Sequence, residues 1–124
     1  MGASIGLKTV TLVGGLNDVE QAIQISKNPH ISIILLISVI GSPGRVVYHL
    51  TSTKGFSLRN IKYLVFDEAD KILDADFEDQ VNKILENINK KRNTFLFSAT
   101  MTTKVHKLEK ASLVDPVKIE VNTK

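Results

Sequence analysis

Tyr63-Leu64-Val65-Phe66-Asp67-Glu68-Ala69-Asp70 is the stretch on which the reading of this chain turns. Lys62 to Phe66 has the pattern of a buried strand, and that strand delivers two adjacent carboxylates at its carboxyl end. A strand is rigid, so it holds Asp67 and Glu68 in fixed positions. Phosphoryl-transfer enzymes place acids in this way: the first holds magnesium through water, and the second orients or deprotonates the attacking water. The same residues also describe a strand that runs into an acidic helix N-terminus, where Asp and Glu are favourable in any protein. On these residues alone the two readings stand level.

Outward from this stretch, strand and helix signals alternate. Val10 to Val13 is a short apolar run ended by Gly14-Gly15, and Asn17 with Glu20 opens a helix that Pro29 stops. Ile31 to Ile40 reads as a β-branched strand, longer than the usual run of about 5–6 residues. Ser42 as N-cap and Pro43 at the first helical position start a short helix through Leu50, followed by a loop over Lys54 to Asn60. Downstream, Phe77, Val81, Ile84, Leu85 and Ile88 form the apolar stripe of a helix packed on a sheet. A third strand over Thr94 to Phe97, a helix over Thr102 to Leu113 and a last strand over Val117 to Val121 complete the pattern. Such alternation predicts an α/β domain with a mainly parallel sheet and helices on both faces, whose ligands bind at the carboxyl ends of the strands.

Composition narrows the function classes. The 124 residues suffice for one domain, and 43% hydrophobic with 23% charged residues excludes a disordered or collagen-like chain. There is no cysteine, which excludes disulfides, thiolate nucleophiles and Cys-ligated zinc. The formal net charge of +3 permits nucleic-acid binding without demanding it. Met1 to Leu7 lacks the pattern of a signal peptide, and the longest apolar run falls well short of the roughly 20 residues of a membrane-spanning helix. His30, His49 and His106 have no metal-ligand spacing; His30 and His106 are expected at the surface, and Lys90-Lys91-Arg92 reads as a solvated turn.

Three weaker signals also sit at strand ends. Ser98-Ala99-Thr100 offers two hydroxyls, either to bond Asp70 or a phosphate or to cap the next helix. Ser42-Pro43-Gly44-Arg45 offers close backbone approach and an anion-binding arginine, or only a capped helix start with a surface Arg. Gly14-Gly15 is a turn first and a backbone contact to phosphate second.

Taken in order, Gly14-Gly15, Pro43-Gly44-Arg45, Asp67-Glu68-Ala69-Asp70 and Ser98-Ala99-Thr100 resemble the motifs of the DEAD-box ATP-dependent RNA helicases, in particular the branch associated with ribosomal RNA processing. The resemblance implies part of a RecA-like (P-loop NTPase) domain. It implies that Asp67 holds the magnesium of ATP through water, that Glu68 positions the hydrolytic water, and that Asp70 bonds Ser98 or Thr100 to link ATP and RNA binding. Gly14, Gly15, Pro43, Gly44 and Arg45 would contact the RNA backbone without sequence preference. A second helicase lobe, pre-ribosomal proteins and a nucleolar location in the nucleus are likewise implied.

The chain also departs from that family. None of its seven glycines is followed by lysine, so the phosphate-binding loop is absent. Residues 1–124 are therefore expected to be an incomplete first lobe without its partner lobe, inactive alone and marginally stable or insoluble, with two alternatives: a truncated product that binds RNA or protein without catalysis, or an incomplete gene model with no independent activity. The apolar stretch Ser32 to Val39 is several residues longer than the resemblance predicts, as translated intron sequence would make it.

Overall fold

The computed structural model describes residues 8–12 and 37–122. Two strands, β1 (Lys8–Leu12) and β2 (Ile37–Gly41), pair in parallel, with Val10 opposite Val39. A second parallel pair joins β3 (Tyr63–Phe66) to β4 (Asn93–Leu96), with Val65 opposite Phe95. Parallel pairing needs long crossovers, and helices supply them. The helices are α1 (Pro43–Ser52), α2 (Ala69–Asp74), α3 (Glu78–Asn87) and α4 (Thr103–Ser112). The helix expected after Asn17, and Ile31 to Leu36 of the long strand, lie outside the described residues.

Each helix follows from its local sequence. Pro43 opens α1 with its fixed φ, although the Ser42 hydroxyl makes no capping bond, and the helix runs to Ser52 rather than ending at Leu50. Glu78 and Asp79 occupy the first turn of α3, where the helix dipole favours acids, and Val81 and Ile84 form its buried stripe. Thr102 caps α4 by accepting a bond from the Val105 N–H at 3.3 Å.

Two buried clusters hold these elements together. Val46, Leu58, Ile84 and Ile88 form the first, packed against Val39 of β2. Phe66, Ala69, Leu73, Val81, Val105 and Leu108 form the second. Leu64 touches both, so β3 is the wall that the two cores share. Burying one such aliphatic side chain stabilises by about 1.5–3 kcal/mol. His49 is fully buried in α1, with Nδ1 2.6 Å from the Thr53 hydroxyl, while His106 is exposed as expected and His30 lies outside the described residues.

Two strand expectations need correction. The run over Lys62 to Phe66 reads as a buried strand, yet Tyr63 and Val65 are 60% and 56% exposed. Phe66 and Leu64 face the helices, whereas Tyr63, Val65 and Phe95 face outward, uncovered by any described element. Val117 to Val121 forms no strand, and Val117, Ile119 and Val121 are all more than 80% exposed. The alternation there suits a strand, but among the described residues no neighbouring strand supplies a hydrogen-bond ladder to it. It runs past the end of β4 and forms, with Phe97, Ser98 and Met101, one side of a cleft of about 450 Å³.

Candidate active site

The carboxyl ends of β3 and β4 lie side by side and continue to bond beyond the ladder. Phe97 N–H donates to the Phe66 carbonyl at 2.8 Å, and Ala69 N–H donates to the Phe97 carbonyl at 3.0 Å. These bonds bring Asp67-Glu68-Ala69-Asp70 against Ser98-Ala99-Thr100.

Asp70 is the hub. It is only 8% exposed, a position an unpaired carboxylate could not hold cheaply. Its Oδ2 accepts from the Thr100 hydroxyl at 2.8 Å and the Thr100 N–H at 3.2 Å, and its Oδ1 accepts from the Lys71 N–H at 3.1 Å. Its own N–H donates to the Ser98 hydroxyl oxygen at 3.3 Å, and that hydroxyl donates to the Thr100 carbonyl at 2.8 Å. The Thr100 hydroxyl bond, against the opposing pull of burial, holds the Asp70 carboxyl below its usual value, and the Lys71 and Thr100 N–H groups add to it. The hydroxyls of Ser98 and Thr100 thus serve Asp70, and Thr102 caps α4 in their place.

Asp67 and Glu68 are exposed at the rim. Asp67 makes no hydrogen bond or ion pair among the described residues, which leaves both oxygens open. A single open carboxylate suits magnesium, which keeps several waters and takes the rest of its shell from phosphate oxygens. No group of three acidic or histidine side chains that could form a protein-only metal cage occurs among the described residues. Glu68 occupies the left-handed region, with φ 51° and ψ 50°, immediately before α2. Its Oε1 is 2.9 Å from Lys71 Nζ, and this partner holds the Lys71 ammonium above its usual value.

The Pro43-Gly44-Arg45 segment forms the first turn of α1, with Arg45 N–H and Val46 N–H both donating to the Ser42 carbonyl at 3.1 Å. The Arg45 guanidinium lies over the Tyr48 ring, 5.8 Å from its centre. A methyl at Gly44 would meet Phe77 at 3.5 Å, an ordinary contact, and Gly44 has no positive φ. Neither packing nor torsion therefore demands glycine there. Gly14 and Gly15 lie outside the described residues.

The sequence reading missed two side chains. Lys71 was legible only as a residue three positions after Glu68, the spacing of a helical ion pair. Lys104 was not legible at all: it reaches from α4 to the Leu73 carbonyl at 3.3 Å and to Asp76 at 3.8 Å, tying α4 to the end of α2.

Comparison with known proteins matches this geometry to a family. Residues 1–108 match the DEAD/DEAH box helicase family. The ATP-dependent rRNA helicase RRP3 of Yarrowia lipolytica is 52% identical over all of this chain, which spans 24% of that protein. The probable ATP-dependent RNA helicase DDX47 of Homo sapiens is 51% identical over the same 124 residues, 26% of its length. A solved structure of a DEAD box protein from the hyperthermophile Methanococcus jannaschii superposes with a TM-score of 0.72 at 34% identity, covering 88% of this chain and 28% of that one. The chain thus spans about a quarter of each relative's length. Its α/β fold is that of a RecA-like domain, and the chain belongs to the DEAD/DEAH box helicase family.

Proposed function

We propose that this span supplies the hydrolytic acids and part of the RNA track of an ATP-dependent helicase acting on ribosomal RNA. The observation that carries the reading is the hydrogen-bonded hub of Asp70 with Ser98 and Thr100, beside an open Asp67. The hub fixes the ends of β3 and β4 relative to each other, so a shift at either end is felt at the other. In this reading Asp67 holds ATP-bound magnesium through water. When bound, that ion neutralises charge that develops on the phosphates. Glu68 accepts a hydrogen bond from the attacking water and takes its proton, while Lys71 holds the Glu68 carboxylate in place until the water displaces it.

Gly44 and Arg45 supply the RNA contact. A glycine that neither packing nor torsion requires leaves bare backbone for a phosphate to approach, and the guanidinium beside it supplies charge. Gly14, Gly15 and Pro43 join the same track. The partners in this reading are a second lobe, RNA and pre-ribosomal proteins in the nucleolus. No described helix is long and apolar enough to cross a membrane. Residues 1–124 are read as part of the first lobe of a helicase core.

The test is RNA-stimulated ATP hydrolysis by a complete helicase core carrying this span. Glu68→Gln should lower the turnover rate by a factor of about 10²–10⁴, the usual contribution of a general base, with ATP affinity retained. Undiminished turnover in that variant would remove Glu68 from the mechanism.

A further inference from the structure

The amino-terminal ends of β3 and β4 carry a feature that the helicase reading does not use. Lys62 precedes β3 and Arg92 precedes β4, and Asn93 N–H bonds the Lys62 carbonyl at 2.8 Å, so the two approach side by side. Arg92 donates to the Ser112 carbonyl at 3.4 Å and the Asn89 carbonyl at 3.2 Å, which brings the ends of α3 and α4 to the same place. Leu50 and Arg59 share a cleft with Asn87, which adds the end of α1 and the loop after it.

Five basic residues lie on the segments that meet at this end: Arg59, Lys62, Lys90, Lys91 and Lys110. All are exposed, and none makes an ion pair among the described residues. Along the chain, Glu86 precedes Lys90 by one helical turn, and Glu109 and Asp115 stand on either side of Lys110. Helix dipoles favour a cation at the last turn, which accounts for Lys110. They do not account for Arg59 and Lys62, in a loop before a strand, or for two successive lysines in the turn at Lys90. The adjoining cleft of about 330 Å³ is lined by Leu50, Phe56 and Arg59 and falls at the lower end of ligand-sized pockets, roughly 300–1,000 Å³. A cleft that holds one aromatic side chain, Phe56, and one cation, Arg59, with further basic residues on the segments beside it, fits single-stranded nucleic acid: cations track the backbone and one base stacks.

We infer that this basic end is a second binding surface for single-stranded RNA, at the opposite end of the strands from Gly44 and Arg45. Lys62, Lys90, Lys91 and Lys110 contact successive phosphates, and the cleft beside Arg59 takes a base against Phe56. The contact is independent of sequence and of ATP. It extends the RNA path beyond the track proposed above, and it stands or falls separately from that track.

Binding of the 124-residue chain to a fluorescein-labelled dodecamer of uridine, followed by anisotropy across a salt series, tests this. The variant K62Q/K90Q/K91Q should bind at least tenfold more weakly at low salt, and its salt slope should fall by about 2, since each single-strand phosphate contact contributes roughly 0.7. Arg45→Gln reports on the other track independently. Loss on Arg45→Gln with the triple variant unchanged would overturn the second surface and leave the first. Equal competition by polyglutamate and RNA would overturn the assignment to nucleic acid. Acetylation of lysines in the unaltered chain gives a check that needs no variant: RNA should protect Lys62, Lys90 and Lys91, and unprotected lysines there would refute the proposal.

Discussion

The two ends of the β3–β4 pair differ in more than the sign of their charge. At the carboxyl end, seven acids lie from Asp67 to Asp79, and beside the open Asp67 two of them are held by protein partners. Asp70 accepts three bonds, and Glu68 holds Lys71. At the amino end the lysines reach into solvent, and only Arg92 is anchored. Helix dipoles favour the acids at one end and Lys110 at the other, so only that part of the contrast follows from the fold. The partners do not. Charges fixed by hydrogen bonds shape a site, while unpartnered ones are available to a ligand.

The largest expected effect breaks the acidic end by way of its core. Leu73 is 2% exposed and seats α2 on the second cluster. Leu73→Ala should cost about 2–5 kcal/mol, read as a lower urea midpoint with unchanged slope. A loss below about 1 kcal/mol would mean that α2 is not held by this contact.

A smaller effect comes from acid. The folded Asp70 carboxyl is held below its ordinary value of 3.8, so its contribution to stability is complete above that value and is lost as pH falls through the lowered one. Asn cannot titrate. The midpoint of the unaltered chain should therefore drop between about pH 5 and pH 2, and that of Asp70→Asn should drop less, so the two curves converge in acid. Parallel curves would show that the Thr100 bonds do not favour the ionised form.

The smallest effect sharpens the contrast at the basic end. Lys90→Gln with Lys91→Gln should leave the urea midpoint within about 0.5 kcal/mol of the unaltered chain, since neither side chain has a partner to lose. A substantial loss of stability would make these lysines part of the fold and remove the distinction between the two ends.

The sequence carried the parts of this structure that local chemistry decides. Asp67 follows a strand, Pro43 starts a helix, and the stripe from Phe77 to Ile88 packs as spaced, because each depends on residues within a few positions. The residues alone left Ser98 and Thr100 open to Asp70, to a phosphate or to a helix cap, and only the family resemblance chose Asp70. Thr102 takes the capping role for α4, and that depends on where the helix begins. Tyr63 and Val65 read as buried because an apolar run does not say which of its faces is covered. Val117 to Val121 read as a strand because alternation reports side chains, whereas a strand also needs a neighbour that no local pattern supplies. Lys104 was invisible because its contact joins residues 31 positions apart.

The backbone at Glu68 has a practical consequence for anyone altering it. An L residue in the left-handed region carries a penalty of roughly 1–2 kcal/mol, which glycine escapes. Ala69 N–H and Asp70 N–H on its far side are pinned to Phe97 and Ser98, so the torsion cannot relax. Position 68 thus behaves like a bent spring between two pegs. Gln removes the charge and keeps the strain, whereas Gly removes the side chain and the strain together while the bend stays. Ala removes the polar side chain and keeps the strain, so comparing an Ala variant with a Gly variant weighs the spring separately from the acid.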